Sequence, residues 1–277
     1  FKPVLLGTTT SLQVEVDKTS QSTANVLALL PGSEKPDEAV IYTAHHDHLG
    51  MDMNSDEKDR IYNGAKDNAA GVASVLAIAK AFKMASSPPK RSILFAFVGA
   101  EEQGLLGSAY FARYPTFEPG EIAANVNIDS PQVYGKTSDI SFIGYGRSSV
   151  DEIAETVADF QSRSITGDQN PSAGYFYRSD HFSLAKIGVP SLNYKGGSQF
   201  TGRQFSSIDV LQARYVAELY HQPSDEIESN WVYEGLVEDA QFGFYSGWLL
   251  ANKRQLPAWR PGDEFEAPRK KALTKAN

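Results

Sequence analysis

The sequence predicts an α/β protein with three layers, in which helices cover both faces of a mixed, largely parallel central sheet. Apolar runs of strand length alternate along the chain with segments whose apolar residues recur at helical spacing. Residues 92–98 are apolar after the first position, which is typical of a strand buried on both faces. Together, these two observations favour a sheet that lies between layers of helices.

The predicted elements follow one another in a regular order. Strands are expected at 11–16, 25–30 and 39–44, and a helix follows Asp67 until Pro88 ends it. Further strands are expected at residues 92–98, 122–128, 140–143 and 188–194, and further helices at residues 150–160, 205–220 and 231–251.

We expect one catalytic domain over residues 1–255, with a strand-rich lead-in at 1–31. A chain of 277 residues with 41% hydrophobic content is long enough for one large α/β core. The last 25 residues carry seven Lys or Arg against three acidic residues and show no clear periodicity at the end. Residues 256–277 are therefore expected to form a solvated basic tail.

Composition excludes several classes of protein. A net charge of −8 disfavours a nucleic-acid partner, because phosphate binding requires a positive surface. No apolar run approaches the ~18–20 residues that span a bilayer, so no membrane span is expected. Without cysteine there are neither disulfides nor thiolate metal sites, so any metal must be held by His, Asp or Glu.

Residues 43–50, Thr-Ala-His-His-Asp-His-Leu-Gly, contain three of the five histidines directly after a predicted strand. Open α/β sheets place ligands and catalytic groups at the carboxyl ends of their strands. Strand alternation puts His45 and Asp47 on one face and His46 on the other. His45 is therefore the better ligand candidate, with Asp47 able to orient its second ring nitrogen. We expect His46 and His48 to be structural or rim residues.

Carboxylates occur at three further places. Glu101-Glu102 and Asp129 each follow a predicted strand, and Asp67 stands where a helix begins. Taken singly, they have ordinary explanations as a surface pair, a turn residue and a helix cap. Gathered at one sheet edge, they would repel one another unless a cation neutralised them. The sequence therefore predicts a metal site at this edge.

Six blocks of sequence, in this order, resemble the M28 family of zinc metallopeptidases, which are co-catalytic aminopeptidases with some carboxypeptidase relatives. The resemblance runs from about residue 24 to about residue 250. The set of blocks is specific, whereas any one of them alone would be weak. The blocks are Thr43-Ala-His-His-Asp-His-Leu-Gly50, Asn63-Gly-Ala-Lys-Asp-Asn-Ala-Ala-Gly71, Gly99-Ala-Glu-Glu-Gln-Gly-Leu-Leu-Gly-Ser108, Asn127-Ile-Asp129, Arg178-Ser-Asp-His-Phe182 and Tyr220-His-Gln-Pro-Ser-Asp225.

The resemblance implies a zinc-exopeptidase fold that binds two zinc ions per chain. His45 and Asp129 would ligate one zinc, and Asp67 would bridge both. Glu102 and His221 would complete the second zinc. Two-metal hydrolases hold their ions roughly 3.5–4 Å apart, where a shared carboxylate and an activated water both fit. Cobalt or manganese could replace zinc in such a set.

The resemblance also implies catalytic roles. Glu101 would be the general base that takes the proton of the attacking water and hands it to the leaving amine. Tyr220, directly before the ligand His221, would help hold the oxyanion. Asp180 and His181 are candidates for the substrate pocket, and an anchor for a hydrogen-bonded loop is an equal alternative for them.

The function expected is a zinc-dependent aminopeptidase that hydrolyses the N-terminal bond of peptides. A carboxypeptidase or dipeptidase of the same fold is an alternative, and so is a glutaminyl-cyclase-like transferase with a single zinc. A binding module that has lost catalysis is disfavoured, because the five ligands and Glu101 are all present.

Two positions depart from the family pattern. Ser130 replaces a frequent Met after the ligand Asp, and Gln222 replaces a frequent Thr after the ligand His, while Asp225 remains available to support that histidine. Relatives with a similar start often carry an upstream protease-associated domain, and no such insert lies within this chain. The resemblance and the start at Phe1 favour a secreted or periplasmic enzyme, although no signal peptide is visible.

Overall fold

The structure is a computed structural model that describes residues 2–202 and 208–276. In this part of the chain the strands are β1 (Val26–Leu30), β2 (Lys35–His45), β3 (Gly50–Met51), β4 (Ile61–Tyr62), β5 (Arg91–Val98), β6 (Ile122–Asn127), β7 (Asp139–Ile143), β8 (Ser164–Thr166) and β9 (Ser191–Gly196). The α-helices are α1 (Ala70–Met84), α2 (Leu106–Arg113), α3 (Asp151–Phe160), α4 (His181–Lys186), α5 (Ile208–Arg214), α6 (Tyr233–Asn252) and α7 (Glu266–Ala276).

Seven of the strands form one mixed sheet in the order β1-β5-β2-β6-β9-β7-β8. β2 runs parallel to both β5 and β6, and β9 runs parallel to β6. The edge strand β1 is antiparallel to β5, and β7 is antiparallel to β9. β3 and β4 form a separate two-stranded ribbon. The predicted mixed, largely parallel sheet is confirmed.

Strand alternation divides the apolar residues between the two faces of this sheet. On one face Tyr42 and Phe95 pack with Phe82 of α1 and Phe242 of α6. On the other face the main apolar residues come from β2, β5, α2 and α4 and include Ile41, Leu94, Phe111 and Leu184. Because β5 contributes to both clusters, every one of its residues is buried, which is why residues 92–98 read as an uninterrupted apolar run.

The predicted strand at residues 11–16 is wrong. Residues 2–25 form neither helix nor strand, so the lead-in contains only β1, where a strand was expected at 25–30. Leu12, Val14 and Val16 alternate as in a strand, but they are largely exposed. Alternation alone does not stabilise a strand, because a strand needs a partner for its backbone hydrogen bonds and a surface for its apolar face.

The prediction of a solvated tail at residues 256–277 is also wrong. Trp259 and Phe265 are buried in one apolar cluster with Phe176, and the indole nitrogen of Trp259 donates to the carbonyl of Gly188 at 3.0 Å. α7 then follows as a regular helix. The charged residues dominate the composition here, whereas Trp259 forms an isolated β-bridge with Ser148 and Phe265 lies in a turn, so neither leaves a helical periodicity to detect.

The helices α1, α3 and α6 lie where they were expected, with shifts at their ends, whereas the short helices α2 and α4 were not predicted. The first three residues of the predicted helix at 205–220 lie outside the described residues. Its remainder comprises α5 and one wider helical turn at Tyr215–Leu219. Among the helices described, none combines the length and the apolarity needed to cross a bilayer.

Arg269 fixes α7 to the domain, and its substitution tests this packing. The guanidinium is buried and donates to the carbonyls of Pro257, Pro119 and Ile122 at 3.1, 3.0 and 2.9 Å. We expect Arg269→Met to lower the free energy of unfolding by about 2–4 kcal/mol, because buried carbonyls lose their donor. Chemical denaturation measures the change, and Lys271→Met on the exposed face should alter it by at most about 0.5 kcal/mol. Equal effects of the two substitutions would contradict this role of Arg269.

Candidate metal centre

The three neighbouring strands β5, β2 and β6 deliver polar side chains to one edge of the sheet. They run parallel, so their carboxyl ends lie side by side. His45 is the last residue of β2 and pairs with Val98 at the end of β5. Glu101 and Glu102 follow β5 within a few residues, and Asp129 stands two residues beyond β6. The topology therefore gathers these groups as the sequence predicted.

Asp67 and His221 come from outside the sheet. Asp67 lies in an irregular helical turn at Ala65–Ala69, with non-helical φ and ψ of −113° and 84°, and its peptide bond to Asn68 is cis. The N-cap of α1 is Ala69, without a side-chain cap, so capping does not explain the carboxylate of Asp67. His221 follows the turn at Tyr215–Leu219 and adopts a left-handed φ of 58°.

The five predicted ligands meet in two groups that share Asp67. In one group Nε2 of His45 lies 3.0 Å from Oδ1 of Asp67 and 3.5 Å from Oδ1 of Asp129. In the other, Nε2 of His221 lies 3.5 Å from Oδ2 of Asp67 and 3.0 Å from Oε2 of Glu102. Within each group the candidate ligand atoms lie within 4.8 Å of one another. The two oxygens of Asp67 thus face two different histidines, as a bridging carboxylate would.

A buried atom without a hydrogen-bond partner shows that a cation fits this arrangement. Within the described part of the chain, Nε2 of His221 is buried and lacks a hydrogen-bond partner. Leaving such polar atoms unsatisfied is costly unless another species binds them. Imidazole nitrogens and carboxylate oxygens without thiolates match the ligand chemistry of zinc.

The electrostatics of the site point the same way. Burial disfavours the charged form of His45, but the carboxylates of Asp129 and Asp67 outweigh this and raise the pKa of His45 well above its usual range. Burial of Asp67 is likewise outweighed by His221 and His45, which hold the pKa of that carboxyl far below its usual range. The site therefore stabilises Asp67 as a carboxylate, the form that binds metal.

Glu101 lies beside the ligands without belonging to the groups that share Asp67. It is 9% exposed, and burial, followed by the charge of Asp129, raises the pKa of Glu101 to about 9. A bound divalent cation would act in the opposite direction, because it favours the carboxylate. A buried carboxyl group with a raised pKa beside a metal site is suited to proton transfer.

Asp47 supports the site differently from the prediction. Nδ1 of His45 faces the main-chain carbonyl oxygen of Asp47 at 3.1 Å, so the backbone rather than the carboxylate orients the imidazole ring. The carboxylate of Asp47 instead accepts a long hydrogen bond of 3.4 Å from the main-chain N–H of Glu101. Asp47 thus connects the end of β2 to the segment that carries the predicted base.

The structure separates the two remaining histidines of the cluster. His46 is exposed and its Nε2 lies 3.0 Å from the carbonyl of Ala24, which agrees with a structural role. His48 contacts a predicted ligand. Its Nδ1 lies 2.8 Å from Oε1 of Glu102, although the two atoms lack the alignment of a hydrogen bond. Its ring also contacts that of His221, with centroids 5.5 Å apart. The alternation of side chains along a strand could not predict the contact between His48 and Glu102, because β2 ends at His45.

Sequence reasoning missed the groups that hold the ligands in place. Asp225, expected beside His221, instead accepts main-chain hydrogen bonds from Lys66 at 3.2 Å and from Asp67 at 3.1 Å. Ser179 donates to Oδ2 of Asp129 at 2.6 Å, and the side chain of Asn127 donates to Ser179 at 2.7 Å. Ser179 belongs to the fifth of the six sequence blocks, and this membership was the feature of the sequence that could have indicated its role.

Asp180 and His181 do not line the cleft beside the metal site. Both are buried, and His181 packs edge-on against Phe176 with ring centroids 4.8 Å apart. Burial raises the pKa of Asp180 to about 7 and lowers the pKa of His181 to about 3. The loop-anchor alternative describes their position better than substrate contact, while their neighbours Ser179 and Phe182 do line the cleft.

The ligand groups open into a cleft of about 930 Å³. Tyr220 stands at its wall, 42% exposed, with its ring stacked on that of His221 at a centroid distance of 3.8 Å. Lys66 is buried in the same wall, with Nζ 3.7 Å from the ring centroid of Tyr215. Burial, followed by the charge of Lys195, lowers the pKa of Lys66 to about 7.

The fold is of the α/β zinc-exopeptidase type, and its site gathers candidate metal ligands at one edge of the sheet. The model of peptidase family M28 matches residues 25–240, and the chain belongs to this family. The matched range contains all five predicted ligands and Glu101, and it confirms the resemblance on which their assignment was based.

Relatives and solved structures agree with this family. A probable zinc metalloprotease of Pyrenophora teres f. teres is 27% identical over 84% of this chain and 53% of its own length. Aminopeptidase YwaD of Bacillus subtilis is 29% identical over 76% of this chain and 41% of its own length. The structure of BSAP, a zinc aminopeptidase from Bacillus subtilis, has a TM-score of 0.61 at 23% identity and covers 87% of this chain and 52% of the other. The chain thus spans about half the length of these proteins.

Asp225 tests whether the second layer of the site controls metal binding. We expect Asp225→Asn to weaken zinc affinity roughly 10–100-fold, because a neutral amide holds the turn of Asp67 less firmly. Competition with a chromophoric chelator measures the affinity. Glu226→Gln, at the exposed neighbouring position, is the control and should leave zinc affinity unchanged. The same affinity in both variants would show that Asp225 has no part in holding the ligands.

Proposed function

We propose that the protein is a zinc-dependent aminopeptidase that removes the N-terminal residue of peptides and uses two zinc ions per chain. The observation that carries the proposal is Asp67, whose two oxygens face two separate groups of His and carboxylate ligands. Two Bacillus subtilis proteins to which the chain is similar are named as aminopeptidases, which supports this activity. The chain covers only part of their length, so their activity comes to this chain as a proposal.

The chain's own residues would hold the two ions in different ways. His45 and Asp129 would bind one zinc, Glu102 and His221 the other, and Asp67 both. Zinc bound there supplies a Lewis acid for the scissile carbonyl and lowers the pKa of a nearby water. His48 and Ser179 would fix the orientation of Glu102 and Asp129, because a ligating carboxylate is positioned by the groups that contact its other oxygen.

Glu101 would move the proton in this reaction. Its carboxylate would accept a proton from the attacking water and deliver it to the leaving amine, so that one group serves as base and then as acid. Tyr220 would donate its phenolic hydrogen to the oxygen that becomes negative in the transition state. Burial, followed by the charge of Asp67, raises the pKa of Tyr220 above its usual range, so the phenol keeps the proton that this role requires.

Export to the periplasm or the medium remains part of this proposal and rests on the family resemblance. An upstream protease-associated domain is also part of this proposal and rests on the same resemblance. Both are tested by the full-length protein in its own cells, through fractionation and mass measurement of the mature chain.

Metal removal and substrate choice together test the proposed function. We expect aminoacyl fluorogenic amides to be cleaved, their N-acylated forms to be resistant, and activity to vanish after dialysis against a chelator. Readdition of zinc should restore activity as the content reaches two ions per chain, which metal analysis measures. Cleavage only at a free carboxyl terminus would instead favour the carboxypeptidase alternative. One zinc per chain with cyclisation of N-terminal Gln would favour the transferase.

Glu101→Gln tests the base. We expect kcat to fall roughly 10²–10⁴-fold with zinc content unchanged, because the amide cannot accept the water's proton. Glu102→Gln is the matched contrast, since it should lose zinc together with activity. Stopped assays and metal analysis on the same samples separate the two effects. Near-full activity of Glu101→Gln would remove Glu101 from the mechanism.

A further inference from the structure

Positive side chains dominate the part of the cleft that the metal ligands do not occupy. The chain as a whole carries a net charge of −8, yet among the described residues that line the cleft the one carboxylate beyond the ligands and Glu101 is Asp168. The cleft wall contains the cationic side chains of Arg178, Lys186 and Lys195, and also Lys66, whose pKa burial lowers to about 7. Two divalent ions would offset the charge of the four carboxylates at the metal site, which leaves the remaining cleft positive.

Lys195 has the position from which it can act on a bound substrate. β9 is parallel to β6, and Asn193 pairs with Asn127. Lys195 stands two residues further along β9, and the predicted ligand Asp129 stands two residues beyond Asn127. Adjacent strands are about 4.8 Å apart, so a half-buried lysine rises beside the candidate metal centre at the same edge of the sheet.

Among the described residues, Lys195 has no carboxylate partner. Over residues 2–202 and 208–276, no carboxylate forms an ion pair with Lys195 or with Lys66. Arg178 and Lys186 are exposed and lie against aromatic rings, as long side chains at a rim commonly do. A half-buried ammonium next to the reaction centre without a partner favours a partner that arrives with the substrate.

We propose that Lys195 determines specificity by binding a carboxylate of the substrate close to the scissile bond. This inference rests on the proposed peptidase function and adds to it a substrate class, peptides with an anionic group beside the cleaved bond. Two sources supply the same chemistry: the side chain of an Asp or Glu residue, and the free α-carboxylate of a dipeptide. Arg178 and Lys186, at the rim of the same cleft, add to the positive potential that attracts either one.

Isosteric pairs of substrates test the proposal with the zinc-loaded protein. Aspartyl and asparaginyl fluorogenic amides differ in charge at the side chain, and Leu-Gly and Leu-Gly amide differ in charge at the carboxyl terminus. We expect kcat/KM to favour the charged member of one pair roughly 10–100-fold, which also identifies the source of the carboxylate. In Lys195→Met this ratio should fall to about one, and Lys195→Arg should keep most of it. Lys80→Met, exposed on α1 outside the cleft, should keep it in full.

Two results would overturn the proposal. One is a ratio near one for both pairs in the unaltered protein while neutral substrates are cleaved, which leaves the peptidase function intact. The other is a charge preference that Lys195→Met does not change. If no substrate is cleaved, calorimetric titration with glutarate decides: tenfold weaker binding to Lys195→Met than to Lys80→Met supports the carboxylate site. Equal binding to both variants refutes it.

Discussion

The constraint on which this structure depends is the convergence of like charges at one edge of the sheet. Asp67, Glu102 and Asp129, with Glu101 beside them, lie within a few ångströms of two imidazole rings. In water such carboxylates would separate, and in a buried site their repulsion must be offset by histidines and by bound cations. The strand order that creates this arrangement places β2 between β5 and β6. One crossover pattern thereby delivers three functional segments to the same place.

A second layer of contacts holds this repulsive arrangement in place. Asp225 binds the main chain of the turn that carries Asp67, and Ser179 binds the outer oxygen of Asp129. His48 stands against the outer oxygen of Glu102. Asp129 and Glu102 thus each have a neighbour at the outer oxygen, while Asp225 holds the backbone from which the carboxylate of Asp67 extends. Such positioning lets a site bind metal without first paying for the ordering of its ligands.

The cleft beyond the ligands has a chemistry of its own. Its metal end is rich in carboxylates, whereas the wall formed by the carboxyl end of β9 presents Lys195 near that centre. Opposite charges on adjacent walls orient a polar substrate more strongly than an apolar pocket would. The family accounts for the candidate ligands at one end of the cleft, whereas the proposed selection of an anionic substrate rests on the positive side chains of its other walls.

The sequence by itself determined the mixed, largely parallel sheet, the helices α1, α3 and α6, and the set of candidate ligand residues. Uninterrupted apolar runs mark strands buried on both faces, and six separate blocks mark the family regardless of the distances between them. The sequence-based predictions were wrong at two places. Residues 11–16 alternate in polarity but have no partner strand, and Trp259 packs the C-terminal segment onto the domain although this segment shows no periodicity. Only the tertiary structure decided the roles of His48, Asp47 and Asp225. Their contacts arise between loops that are distant in sequence, and no local spacing encodes which atom of a side chain or backbone faces a neighbour.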